Sequence, residues 1–164
     1  MGDRATQKFT KLKGDNLLNQ AKGALPAMDD RQLIMVVDDD QEMLRLLNRT
    51  LELEGFDAIV VADGDSALTL LEEINPDLVI LDVVMPGLDG FQTLALIRKQ
   101  SNVPVIMLTA RHEVESLQRA LLLGADDYIR KPFSTRSLIA RIQAKLRRAR
   151  HEVLQPLEKD SSAL

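Results

Sequence analysis

The sequence predicts an α/β domain, a doubly wound sheet of five parallel strands with helices on both faces. Two observations carry this. Short apolar runs alternate five times with longer stretches of helical periodicity between Arg31 and Arg148. Strands separated by helices of that length pair in parallel, through right-handed crossovers. The runs are also apolar at nearly every position rather than at every second one, which marks strands covered on both faces.

The elements follow in order. Leu33 to Val37 is an apolar strand that runs into Asp38-Asp39-Asp40. Gln41 to Glu54 is a helix with Met43, Leu44, Leu47 and Leu51 on one face. Asp40 is placed to cap it and Gly55 to stop it. Asp57 to Val61 is the second strand. Asp63-Gly64-Asp65 turns the chain into a helix carrying Ala67, Leu68, Leu70, Leu71 and Ile74, which Pro76 forbids from continuing. Leu78 to Asp82 is the third strand, and Pro86-Gly87 supplies a turn signal behind it. Gly90 to Gln100 is a helix with Phe91, Leu94 and Ile97 inward. Val103 to Leu108 is a strand, with Pro104 at its entry, where a missing donor is tolerated. Glu113 to Leu123 is helical and stops at Gly124. Asp127 to Arg130 is a short strand, and Ser134 to about Arg150 is the last helix.

Flanking this domain, residues 1–30 carry scattered lysines among Gly, Asn and Gln and are expected to be a flexible leader. Leu17, Leu18, Ala21 and Leu25 offer a weak amphipathic face as the alternative. Residues 149–164 read as the helix end and a linker or tail. The domain is thus expected at residues 31–148.

Composition narrows the function. The 164 residues suffice for one domain with a sizeable core. There is no cysteine, which excludes disulfides, thiolate metal sites and a cysteine nucleophile. No apolar run reaches the ~18 residues of a membrane span. A net charge of −4 and only five aromatic residues (four Phe, one Tyr) argue against a nucleic-acid coat protein or a base-stacking platform. A cytoplasmic protein without membrane attachment is expected. The basic run Arg141, Lys145, Arg147, Arg148 and Arg150 reads as a solvated helix face. His112 and His151 lack metal-like spacing.

The acids are the informative feature. Asp82 ends a fully apolar strand, and alone it would read as a turn residue. Open parallel sheets bind ligands at the carboxyl ends of strands, at the point where strand order reverses. In the flavodoxin-like order 2-1-3-4-5, strands one and three are neighbours there. Asp38, Asp39 and Asp82 then meet in one crevice. Such carboxylates repel unless a cation joins them. An all-oxygen, highly charged donor set selects Mg²⁺ or Mn²⁺. The first loop lacks the glycines of a nucleotide-binding turn, so phosphate would enter bridged by metal. Thr109 and Lys131 end the fourth and fifth strands and supply a hydroxyl and an ammonium for an anion. The set describes in-line phosphoryl transfer onto Asp82, giving an aspartyl phosphate.

These pieces resemble the response-regulator receiver domain of two-component signalling. The resemblance lies in Val36-Val37-Asp38-Asp39-Asp40, in Leu81-Asp82 through Met85-Pro86-Gly87-Leu88-Asp89-Gly90, in Leu108-Thr109-Ala110, and in Gly124-Ala125-Asp126-Asp127-Tyr128-Ile129-Arg130-Lys131-Pro132-Phe133. It implies that Asp82 accepts phosphate from the phosphohistidine of a sensor histidine kinase. Asp39 would bind Mg²⁺ directly, Asp38 largely through water, and the Val84 carbonyl would add a ligand. Thr109 and Tyr128 would form a switch pair, Lys131 would bridge to the phosphoryl oxygen, and the Lys131-Pro132 peptide would be cis. The last helix most resembles the winged-helix transcription-factor branch. That branch dimerises on phosphorylation through the face of helix four, strand five and helix five, and touches DNA only through an effector domain absent from this chain. The alternative is a stand-alone receiver acting by protein–protein interaction.

Three features qualify the resemblance. Ser137 stands where that branch usually has a dimer-forming Glu, leaving Asp127 and Arg141 as the cross-subunit pair. Val84 and Arg111 occupy the positions that tune self-dephosphorylation, and neither orients water, so slow autohydrolysis is expected. Val84 also argues against a haloacid-dehalogenase-like phosphatase, which wants an acid two residues after its nucleophile. The expectation is therefore a switch and not an enzyme beyond its own phosphorylation and slow dephosphorylation.

Overall fold

The computed structural model describes residues 31–110 and 114–154. The leader, Arg111, His112, Glu113 and the tail from residue 155 lie outside the described residues.

Five strands alternate with five helices: β1 Leu33–Val37, α1 Gln41–Leu53, β2 Asp57–Val61, α2 Gly64–Ile74, β3 Leu78–Asp82, α3 Gly90–Gln100, β4 Val105–Thr109, α4 Val114–Leu122, β5 Asp127–Arg130 and α5 Thr135–Leu154. The sheet is parallel throughout, in the order β2-β1-β3-β4-β5. This is the doubly wound arrangement the sequence predicts.

Alternation along each strand divides the core in two. Met35 and Val37 of β1, Val79 and Leu81 of β3, and Val105 and Met107 of β4 pack beneath α2, α3 and α4 with Leu70, Leu71, Phe91, Leu94, Ile97 and Ala120. Ile34, Val36, Leu78, Ile80, Ile106 and Leu108 pack on the opposite face beneath α1 and α5, with Leu44, Leu47, Leu51, Leu138, Ile142 and Leu146. Both parities of each central strand are therefore buried, which is why those strands read as unbroken apolar runs. Neither face could be polar without leaving one layer of helices unseated.

Local signals end the helices where expected. The Asp40 carboxylate accepts from the amides of Glu42 and Met43 and caps α1. Asp89 and Gln92 form a reciprocal capping box on α3. Gly55 and Gly124 follow α1 and α4 with φ of 85° and 93°, which only glycine adopts without strain.

Two boundaries differ from expectation by more than one residue. β4 begins at Val105, not Val103. The Val103 amide is taken by the Ser101 hydroxyl at 3.1 Å and its carbonyl by the Arg98 guanidinium at 2.8 Å, so both its backbone groups are used outside the ladder. α5 runs on to Leu154, past Arg150. No glycine or proline interrupts Thr135 to Gln155, so nothing local stops it at the arginines.

A cluster at the carboxyl ends of the strands

The site is assembled by the sheet register. Val36 of β1 lies opposite Ile80 of β3. Two residues further on, Asp38 and Asp82 stand side by side at the same edge. The Asp38 amide donates to the Val61 carbonyl at 3.1 Å, and the Val83 amide donates to the Leu108 carbonyl at 3.0 Å. Both acids thus leave the sheet on backbone that is still anchored to a neighbouring strand. Asp38 is 1% exposed and Asp82 is 5% exposed, whereas Asp39 is open to solvent. One carboxylate oxygen from each of the three lies within 4.8 Å of the others.

Lys131 reaches the same notch from beyond β5. Its ammonium donates to Asp38 Oδ2 at 2.8 Å and to Asp82 Oδ1 at 3.2 Å. The other Asp38 oxygen accepts from the Asp40 amide at 2.9 Å. Lys131 is held in turn by its own backbone, whose amide donates to the Thr109 carbonyl at 2.7 Å. The Lys131–Pro132 peptide is cis. Among the described residues, three carboxylates against one ammonium leave two uncompensated negative charges.

Burial and that excess together set the electrostatics. The Asp82 carboxyl is raised from its ordinary 3.8 to about 6, first by burial and then by the Asp38 charge, against the pull of Lys131. For Lys131, burial favours the neutral amine, but the hydrogen bond to Asp38 and the charges of Asp38 and Asp82 outweigh it. Its pKa is therefore raised. A carboxylate raised toward neutrality by burial and by a neighbouring like charge is what a bound cation would relieve. The donor set is all oxygen, two negative charges remain, and Asp39 opens the notch to water. The residues present fit a hard, partly hydrated divalent ion.

The remaining residues singled out in the sequence have these places. Thr109 ends β4 fully buried. The Val84 side chain is 50% exposed at the rim, two residues after Asp82. Tyr128 is half-buried in β5 against the α2–α4 side of the core, and among the described residues its buried hydroxyl has no hydrogen-bond partner. An unpartnered buried hydroxyl costs about 1–3 kcal/mol. Asp127 and Arg141 meet within one chain at 2.8 Å, and Lys145 stands 3.9 Å from the same carboxylate. A cross-subunit pairing of these two would have to exchange this internal one. Arg111 lies outside the described residues.

One residue the sequence reading missed is Arg98. Its guanidinium donates to the carbonyls of Gly124, Ser101 and Val103 and to the Asp126 carboxylate, which also accepts from the Val105 amide. It ties the far ends of α3 and α4 to the start of β4, at the edge of the sheet opposite the acids. No motif marks it, because its partners are mostly backbone carbonyls.

Residues 34–143 match the family model described as the response regulator receiver domain. The chain belongs to that family. The DNA-binding response regulator MtrA of Mycolicibacterium smegmatis is 44% identical over 127 residues, which are 77% of this chain and 56% of that protein. A probable transcriptional regulator, ycf27 of Cyanophora paradoxa, is 44% identical over 125 residues, 76% of this chain and 52% of the relative. The chain spans about half the length of the curated relatives it matches. Among solved structures, the receiver domain of the Francisella response regulator 1452 is 38% identical with a TM-score of 0.70, covering 73% of this chain and 99% of that one. The BeF3-activated N-terminal receiver domain of Klebsiella pneumoniae RstA is 34% identical with a TM-score of 0.69, covering 71% and 99%. The relatives named for DNA binding and transcription are in keeping with the winged-helix branch that the motifs resemble. No described helix is long and apolar enough to cross a membrane.

Proposed function

We propose that this receiver domain is a phosphorylation-driven switch in which Asp82 is the acceptor. The observation that carries the reading is the Lys131 ammonium, bonded at 2.8 and 3.2 Å to two of three crowded carboxylates. An acidic notch partly neutralised by an ammonium, with the Asp82 carboxylate inside it, suits attack on phosphorus. Asp38, Asp39 and Asp82, with the Val84 carbonyl, would hold Mg²⁺ or Mn²⁺. Bound there, the ion would neutralise charge on the oxygens of the group in transfer.

The chain's own residues do the rest. An Asp82 oxygen forms the new P–O bond as the P–N bond to a kinase phosphohistidine breaks, and the histidine nitrogen keeps the electron pair. Lys131 exchanges its bond to Asp82 for one to a phosphoryl oxygen, the ammonium being a compact point charge. The buried Thr109 hydroxyl donates to a second oxygen. Tyr128, with its hydroxyl unpartnered, is the second member of the switch pair. The apolar Val84 at the rim offers no group to orient attacking water, so the phosphoryl group is lost slowly.

The partners of this reading are a sensor histidine kinase and, on phosphorylation, a second copy. The α4–β5–α5 face is the output surface, where Leu117, Leu121 and Leu122 of α4 are exposed. Transcription is the favoured output, since relatives are named as DNA-binding regulators, and DNA contact would be made by an effector domain. The domain catalyses only its own phosphorylation and dephosphorylation. Incubation with acetyl phosphate and Mg²⁺, followed by intact-mass measurement, tests this. One added phosphoryl group, lost in Asp82→Asn, is expected; an unmodified chain would overturn the reading.

A further inference from the structure

We infer that Gly90 is a positioning residue for the acceptor, an inference that rests on the phosphoacceptor reading above. Gly90 opens α3, and its amide donates to the Val83 carbonyl at 2.8 Å. On the other side of the same peptide segment, the Val83 amide donates to the Leu108 carbonyl of β4. The backbone that carries Asp82 is therefore clamped between β4 and the first residue of α3. A side chain at position 90 has no room. A Cβ there would collide with the Asp82 carbonyl oxygen, and would come within 2.7 Å of Val83 Cα and 2.9 Å of the Asp82 carbonyl carbon. The atoms struck are backbone and cannot rotate aside.

What glycine secures here is contact, not conformational freedom, since Gly90 is not among the glycines with positive φ. Any other residue must push α3 away from the end of β3, or push Asp82 and Val83 toward the notch. The first movement breaks the hydrogen bond from Gly90 to Val83 and releases the clamp; the second shifts two of the proposed oxygen donors, Asp82 and, two residues on, the Val84 carbonyl. Gly64 provides the contrast. It is crowded too, but the added Cβ would meet the Thr93 hydroxyl and, at 3.0 and 3.3 Å, the Cβ and carbonyl oxygen of Leu88. That clash falls on α3 and on the loop residue Leu88 before it, and meets no atom of Asp82 or Val83.

The experiment compares Gly90→Ala with Gly64→Ala in the full chain. Mn²⁺ affinity is read by paramagnetic resonance, phosphorylation by acetyl phosphate is read by mass, and each is set beside the loss in Tm. Displaced support for metal ligands typically weakens affinity roughly 10- to 100-fold. Gly90→Ala is expected to lose affinity and phosphorylation rate in that range, while Gly64→Ala stays within about twofold at a similar Tm. Wild-type values in Gly90→Ala, or an equal loss in Gly64→Ala, would overturn the inference while leaving Asp82 as acceptor. A wild-type chain that neither binds Mn²⁺ nor takes up phosphate would overturn both. Should Gly90→Ala fail to fold, amide spectra of the wild-type protein decide. The Gly90 amide is expected to shift with Mg²⁺ at the same midpoint as Asp82 and Val84, and an unmoved Gly90 resonance contradicts its coupling to the site.

Discussion

Replacing Asp82 by Asn should make the metal-free protein more stable, although it removes the acceptor. The side chain is nearly isosteric and keeps an oxygen for Lys131. What it loses is a charge that the fold resists. Each pH unit by which a carboxyl is displaced is worth about 1.4 kcal/mol. A carboxyl raised from 3.8 to about 6 therefore carries an ionisation penalty of about 3 kcal/mol once both states are charged. The sign follows from the direction. The folded state binds this proton more tightly than the unfolded chain, so the stability it contributes is complete below pH 3.8. That stability is lost as pH rises through about 6. Asn has no such loss. Urea unfolding in chelator should show Asp82→Asn more stable by about 2–3 kcal/mol near neutral pH, with an unchanged m-value. The difference should shrink toward zero as the pH falls below about 4. A variant less stable than wild type near neutral pH would refute the reasoning, because Asp82 would then be held by Lys131 at a net gain.

The same crowding governs three other outcomes. Lys131→Met removes the charge that draws Asp82 down, so the Asp82 carboxyl should titrate above about 6 in carbon-detected NMR, and a lower value contradicts the assigned partners. Affinity for Mg²⁺ should fall as pH drops below about 6, because the ion must displace the Asp82 proton; a pH-independent calorimetric titration would contradict this. Asp39→Asn should weaken Mn²⁺ binding at least about tenfold with little change in Tm, since a lost ligand costs no less than a lost supporting contact. Away from the site, Ile80→Ala empties a fully buried position in the central strand and should cost about 2–5 kcal/mol in urea unfolding.

Much of the fold was legible because the physics is local. Unbroken apolar strands report helices on both faces, and Asp40, Gly55 and Gly124 mark helix ends by mechanisms that need no tertiary knowledge. The convergence of Asp38 and Asp82 was legible too, once parallel pairing placed β1 beside β3. What escaped depends on side-chain partners that no periodicity or motif records. The Val103 peptide is diverted by Arg98, five residues earlier, and no periodicity records that. Sequence spacing placed Lys131 as a group awaiting an anion. The fold instead gives it two carboxylates, one of them 93 residues away. The internal pairing of Asp127 with Arg141 depends in the same way on how α5 packs beside β5.

Reductive trapping tests the central claim most directly. Borohydride converts an aspartyl phosphate to homoserine, so the protein is treated with acetyl phosphate and Mg²⁺, reduced, digested and sequenced by mass. The account predicts homoserine at position 82 and nowhere else, and none when the metal is chelated. Phosphate recovered on a serine, threonine or histidine, or homoserine at another aspartate, would contradict it.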